Sequence, residues 1–129
     1  MFKDAKIFSS FSVDDVKNVK NFYKDILGLN VKDDGEMEML TLKFADGGKV
    51  MIYPKGSAHK PATFTVLNIE VDNLEKAVDK LIEKGQKFEQ YDDMYLKTDE
   101  KGIHRGNGYG PDNAWIADPA GNIIAILQS

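Results

Sequence analysis

The sequence predicts an α+β fold built from two βαβββ modules in tandem. Three observations support this prediction: two amphipathic segments of helical period, an alternating strand before each, and three strand-like segments after each. The halves also align with each other, "SVDDVKNV" on "EVDNLEKA", with Val13 on Val71 at an offset of 58 residues. We therefore expect one domain over residues 1–129, with module 1 at 5–54, a linker at 55–61 and module 2 at 62–128.

Composition narrows the class of protein. Hydrophobic residues make up 42% of the chain and charged residues 29%, as in ordinary globular proteins. The net charge of −4 argues against a nucleic-acid partner, and the absence of cysteine excludes disulfides and thiolate ligands. The N-terminal "MFKDAKIFSS" lacks the apolar core of a signal peptide, and no apolar run reaches the roughly 20 residues of a membrane span. We expect a cytoplasmic protein that binds neither nucleic acid nor membrane.

The first module begins with a strand that alternates up to Val13. Apolar residues of helical spacing then predict a helix over 15–27, with Asp14 or Asp15 as its N-cap and Gly28 at its end. The turns "DDGE" and "ADGG" separate three further predicted strands, at 30–32, 38–44 and 50–53.

The second module repeats this order. A strand over 64–71 precedes a helix over 73–84, which Asp72 can cap with Glu75 as the partner of a capping box, and Gly85 ends it. Three strands follow, at 87–91, 114–117 and 123–127. The last one is apolar throughout, in "NAWIADPAGNIIAIL", and such strands are normally buried on both faces.

The two βαβββ modules, with "F-Y-x-x-x-L-G-L" at Phe22–Leu29 and "D-P-x-G-N" at Asp118–Asn122, resemble the vicinal oxygen chelate superfamily. That superfamily includes glyoxalase I, extradiol dioxygenases, fosfomycin resistance enzymes and bleomycin resistance proteins. The resemblance covers about residues 6–127. It implies that the two modules form one eight-stranded, cup-shaped barrel with the helices outside and a ligand in the cup. It also implies a homodimer, because open strand edges of half-barrels pair between chains.

In the implied fold, alternate residues of the last strand face opposite sides of the sheet. Ile124 and Ile126 would face the helix layer, whereas Ile123, Ala125 and Leu127 would face the cup. The strand would thus be apolar on both sides because helix covers one face and the cup lies at the other.

The resemblance also implies where a metal would bind. Metal-dependent members hold a divalent ion with His, Gln or Glu from four strands. The corresponding positions in this sequence are Phe8, Val66, Ala125 and a position at or beside Met51. These side chains cannot replace the hydration shell of such an ion, and the two histidines, His59 and His104, fall in predicted loops. We expect no metal and no cofactor.

The same apolar positions suit a cup that binds an apolar or aromatic group, although they can equally fill it as core. Trp115 would line the cup, stacking on a planar ligand or packing as core. Polar candidates for ligand contact are Ser10, Tyr53 and Asn68.

A glycine-rich loop is predicted over 99–113, "DEKGIHRGNGYGPDN". Its His104 can shuttle a proton and its Arg105 can hold a carboxylate or phosphate, so both are candidate catalytic residues. The alternative is a solvated loop without a role.

Three functions remain open. The first is a metal-free protein that binds a small, partly apolar or aromatic ligand in the cup, resembling the bleomycin resistance proteins. The second is a lyase, isomerase or dioxygenase-type enzyme with a non-standard site that uses His104 and Arg105. The third is an assembly or regulatory module whose cup is filled.

Overall fold

The computed structural model describes residues 1–36 and 38–129, which divide into two compact units, Met1–Lys60 and Pro61–Ser129. The boundary between the units lies inside the segment predicted as a linker. Each unit has one four-stranded sheet with a helix against one of its faces. In the part of the chain described, neither helix has the length and apolar character that a membrane span requires.

The first unit has its strands in the order β1-β4-β3-β2, with β1 and β4 parallel and the other pairs antiparallel. Its elements are β1 Ser9–Val13, α1 Val16–Asn21, β2 Asn30–Asp34, β3 Met39–Lys43 and β4 Lys49–Pro54. A π-helical turn, Phe22–Ile26, continues α1, and a 3₁₀ turn, Gly56–Ala58, follows β4.

Helix α1 begins where the sequence predicts, and the π-helical turn that continues it reaches the predicted end. The Asp15 carboxylate accepts the backbone N–H of Lys17 at 2.9 Å, so Asp15 is the N-cap. Gly28 follows the π-helical turn with φ +68°, a conformation that glycine adopts without steric strain.

Apolar side chains of β1, β3 and β4 pack against α1 and its π-helical turn. The buried set is Val13, Val16, Val19, Phe22, Tyr23, Leu40, Leu42, Val50 and Ile52. The opposite face of the sheet, which we call the helix-free face, carries the alternate residues of each strand.

The second unit repeats the arrangement with the strand order β5-β8-β7-β6, again with its first and last strands parallel. Its elements are β5 Thr65–Glu70, α2 Leu74–Glu83, β6 Ile103–His104, β7 Asp112–Ala117 and β8 Ile123–Gln128. Its helix-side core is built mainly from Leu67, Leu74, Val78, Leu81, Ile103, Ala114, Ile116, Ile124 and Ile126.

The register confirms the internal repeat. Ser10 pairs with Met51 in the first unit and Asn68 with Ala125 in the second, and Ser10 and Asn68 differ by the same 58 residues. The α+β fold of two βαβββ modules is therefore confirmed.

The cap of α2 differs from the prediction. Asn73, not Asp72, is the N-cap, and its side-chain oxygen accepts the backbone N–H of Lys76 at 3.0 Å. Glu75 is on the first turn but pairs with Arg105, not with the cap. Leu74, the first residue of α2, is 1% exposed.

The prediction of a strand over 87–91 was wrong. The short strand β6, and not this segment, forms the edge of the sheet next to β7. Ile103 and His104 pair with Ala114 and Asn113, whereas the 87–91 segment reaches β7 by the bond from the Glu89 N–H to the Trp115 carbonyl, at 2.9 Å. The prediction that His104 lies in a loop was wrong for the same reason. Strands β6 and β7 form a β-hairpin whose glycine-rich connection covers 105–111.

The turn between β7 and β8 contains Asp118 and Asn122, the buried polar residues of the described chain. The Asp118 carboxylate accepts the backbone N–H groups of Ala120 and Asn122 at 2.8 and 2.9 Å. The Asn122 side-chain oxygen accepts the N–H of Ala62 at 3.1 Å. These bonds fix the turn and tie it to the chain that leads into β5.

Asp118→Ala is expected to lower the free energy of unfolding by about 3 kcal/mol, because two buried N–H groups lose a charged acceptor. The matched control is Asp46→Ala in the turn between β3 and β4, where an exposed carboxylate accepts the single N–H of Gly48. Water can replace that acceptor, so the control should lose about 1 kcal/mol or less. Urea unfolding of both variants measures the difference, and equal losses would contradict a structural role for the buried turn.

Candidate functional site

A row of three residues crosses the helix-free face of the second sheet. Asn68 on β5 pairs with Ala125 on β8, which pairs with Trp115 on β7. Asn68 is exposed, Trp115 is half-buried and Ala125 is buried. The structure thus places these three predicted site residues side by side.

Trp115 belongs to an aromatic cluster of Tyr91, His104 and Trp115. The Tyr91 ring meets the indole edge to face, with ring centroids 5.6 Å apart, and the His104 ring lies 6.4 Å away. Such contacts hold the orientation of the indole. Tyr91 was not among the predicted site residues, because the sequence places it in a strand and nothing links it to Trp115.

The tautomer of His104 follows from its hydrogen bond. Nδ1 lies 2.9 Å from the carbonyl oxygen of Lys97, which only accepts, so Nδ1 carries the proton. In the neutral imidazole, Nε2 then has a lone pair available for accepting a hydrogen bond or a proton. His104 pairs with Asn113 in the register, on the same face as Trp115.

Arg105 lies on the α2 side instead. Its guanidinium contacts Glu75 of α2 at 2.6 Å, and Asp99 and Asp112 at 3.5 and 3.7 Å. The hydrogen bond to Glu75 and the charges of all three carboxylates raise the pKa of Arg105 above its ordinary value. His104 and Arg105 are neighbours in sequence, but the structure does not bring their side chains to one site.

The surroundings of the Tyr91 hydroxyl raise its pKa. Burial raises its pKa above the ordinary 10.0, and the nearby Glu89 carboxylate raises it further. At neutral pH this phenol keeps its proton and can donate a hydrogen bond beside Trp115.

The helix-free face of the first sheet carries the other predicted residues. Ser10 pairs with Met51, and Ser12 pairs with Tyr53. Phe8 directly precedes β1 and is 47% exposed, with the Lys49 ammonium 4.5 Å from its ring centroid. Alternation places Phe8, Ser10, Met51 and Tyr53 on this one face.

Val66 has no place in the ladder. Thr65 pairs with Ile123 and Leu67 with Ile124, so Val66 is the extra residue of a β-bulge. Phe8, which precedes β1, is likewise outside its ladder, and the registers place Met51 opposite Ser10 and Ala125 opposite Asn68.

The residues at the implied metal positions do not fit a divalent ion. Phe8, Val66 and Ala125 have no donor atom, and the Met51 thioether is a poor ligand for a hard cation. Elsewhere in the described residues, no group of three or more His, Cys, Asp or Glu side chains is arranged to hold a metal.

The sequence profile of the Glyoxalase/Bleomycin resistance protein/Dioxygenase superfamily matches residues 8–126. The chain belongs to this superfamily. No curated protein matches the chain. Membership agrees with the order of elements in each unit, and it leaves the chemistry of this member to be argued from its own residues.

Solved structures of other proteins share the fold at low identity. Lactoylglutathione lyase from Agrobacterium tumefaciens is 16% identical, with a TM-score of 0.68, over 97% of this chain and 94% of that one. A superfamily member from Sphaerobacter thermophilus is 19% identical, with a TM-score of 0.69, over 97% and 98%. The oxidase ChaP-H2 is 21% identical, with a TM-score of 0.64, over 97% and 94%.

Glu89→Gln is expected to lower the pKa of Tyr91 but leave it above 10.0, since burial is the larger cause of its shift. A pH titration of the tyrosine ring signals by NMR measures this, with Tyr91→Phe assigning the signal. A Tyr91 pKa at or below 10.0 in the unmodified protein would contradict the partial burial of this side chain against Trp115.

Proposed function

We propose that the chain binds a small, partly aromatic molecule on the helix-free face of the second sheet without using a metal ion. The aromatic cluster around Trp115 is the observation that carries this proposal. It combines a half-buried indole with two neighbouring rings that fix it in place. Planar ligands gain most from such a surface, because stacking adds to the burial of apolar area.

Polar groups at the edges of the cluster select the ligand. The Asn68 side chain is exposed and offers both a donor and an acceptor in the row that contains Trp115. His104 Nε2 is an acceptor, and the neutral Tyr91 hydroxyl is a donor. An aromatic ligand with a hydroxyl or an N–H group can form hydrogen bonds with these donors and acceptors, whereas a hydrocarbon cannot.

Binding without a metal is proposed from the chemistry of the four implied positions. Metal analysis of the purified protein tests it: we expect zinc, iron, manganese and nickel each well below one ion per chain. One equivalent of any of these metals that survives dialysis and supports ligand binding would contradict the proposal.

A second candidate function is an enzyme of the lyase, isomerase or dioxygenase type. The observation that favours it is His104, whose Nδ1 hydrogen bond leaves Nε2 as a base beside Trp115. Arg105 would not contribute to this site, because its guanidinium is held by carboxylates at α2. An enzyme would lose turnover in His104→Gln while it kept most of its affinity for substrate.

The single tryptophan of the chain gives the binding test a clean signal, since it produces one indole N–H resonance. We expect neutral aromatic compounds, from phenol to a bicyclic quinolone, to shift this resonance. His104→Gln should weaken binding about fivefold, the value of one neutral hydrogen bond. Arg105→Gln is the matched control and should bind within about twofold of the parent, since its side chain lies at α2.

Two outcomes of this titration would contradict the proposed site. In one, no compound of the panel moves the indole resonance, so the cluster is core alone. In the other, Arg105→Gln weakens binding as much as His104→Gln does, so the ligand is not on the helix-free face.

A homodimer and a cytoplasmic location also remain proposals for this chain. Sedimentation equilibrium tests the first, with twice the chain mass expected at micromolar concentration.

A further inference from the structure

Three lysines gather on the helix-free face of the first sheet. Lys49 on β4 pairs directly with Lys43 on β3, and Lys32 on β2 pairs with Thr41, two residues along β3 from Lys43. Alternation places all three side chains on the face that carries Ser10 and Met51. All three are exposed, in a chain whose overall net charge is −4.

Placing lysines in one cross-strand pair is unfavourable, because like charges directly opposite each other repel. The Cα atoms of such a pair lie about 5 Å apart, and diagonal neighbours lie about 7–8 Å apart. No carboxylate relieves this repulsion: among the described residues none of these lysines forms an ion pair. Lys49 instead lies over the Phe8 ring, at 4.5 Å.

The acidic groups closest in sequence are directed elsewhere or lie outside the pair. Asp33 is on the opposite face, where it pairs with Lys20 of α1 at 2.9 Å. Asp46, in the turn between β3 and β4, accepts the Gly48 N–H at 2.8 Å. Asp34 shares the face with Lys32 but lies two residues further from the Lys43–Lys49 pair.

We propose that Lys32, Lys43 and Lys49 form a binding site for the phosphate or carboxylate group of a small molecule. An anion between the Lys43 and Lys49 ammonium groups would convert their repulsion into two attractions. The Phe8 ring holds the Lys49 ammonium over the sheet by a cation–π contact, and the Ser10 and Thr41 hydroxyls on the same face can donate to the anion.

The size of the site favours a small molecule. Three lysines within two rungs of one sheet cover the area of a single anionic group, whereas a nucleic acid needs a longer basic surface. This proposal does not depend on the aromatic cluster of the second unit, so either can fail alone.

Titration of the protein with inorganic phosphate in Tris buffer, followed by NMR, tests the site. We expect shifts centred on the three lysines, and affinity that falls as NaCl is added. K43Q/K49Q should weaken phosphate binding about tenfold. The matched control, K17Q/K24Q, removes two exposed lysines of α1 and its π-helical turn and should leave the affinity unchanged. A parallel titration with succinate distinguishes a phosphate site from a carboxylate site.

A measurement of the unfolding temperature tests the site without relying on the double variant K43Q/K49Q. Without phosphate at low ionic strength, Lys43→Gln should unfold at a higher temperature than the parent, because the repulsion is removed. Phosphate should then raise the unfolding temperature of the parent more than that of the variant. Equal affinity in both double variants, or uniform shifts at all lysines, would overturn the proposal. So would tight binding of a single-stranded RNA whose shifts extend well beyond the three lysines.

Discussion

The parallel pairing between the first and last strands of each unit is the constraint on which the rest of the structure depends. It fixes which residues of β1 and β4, and of β5 and β8, share a face, since a slip of one residue would exchange the two faces. Helix α1 or α2 then covers one face with apolar packing. The residues proposed to contact ligands are the side chains that this register leaves on the other face.

The two units use one frame for different chemistry. Met51 and Ala125 occupy equivalent positions, and neither side chain offers the oxygen or imidazole ligand that a hard divalent ion prefers. Around Ala125 the second unit places aromatic rings, whereas the first unit surrounds Met51 with hydroxyls and lysines. The superfamily fold fixes where these positions lie but not which residues occupy them. Membership alone therefore does not give a function.

Much of the fold could be predicted because local sequence patterns determine it. Helical spacing, the Asp15 cap and the glycine stops act over a few residues, and alternation assigned the faces of β8 correctly. The errors arose where distant residues decide the outcome. Edge pairing with β7 went to Ile103 and His104 instead of 87–91. The bulge at Val66 and the ion pair between Arg105 and Glu75, which the sequence does not announce, also depend on distant residues. The periodic spacing of apolar residues carries no information about such long-range contacts.

The central claim is that this chain recognises ligands through helix-free sheet faces and not through a metal. Its most direct test is an NMR shift map with 1-naphthyl phosphate, which carries both an aromatic ring and an anionic group, in the presence of EDTA. We predict shifts at the Trp115 indole N–H of the second unit and, with an affinity of their own, at Lys43 and Lys49 of the first unit, whereas α1 and α2 are little affected. Binding that appears only after zinc replaces EDTA, or shifts centred on the helices, would contradict it.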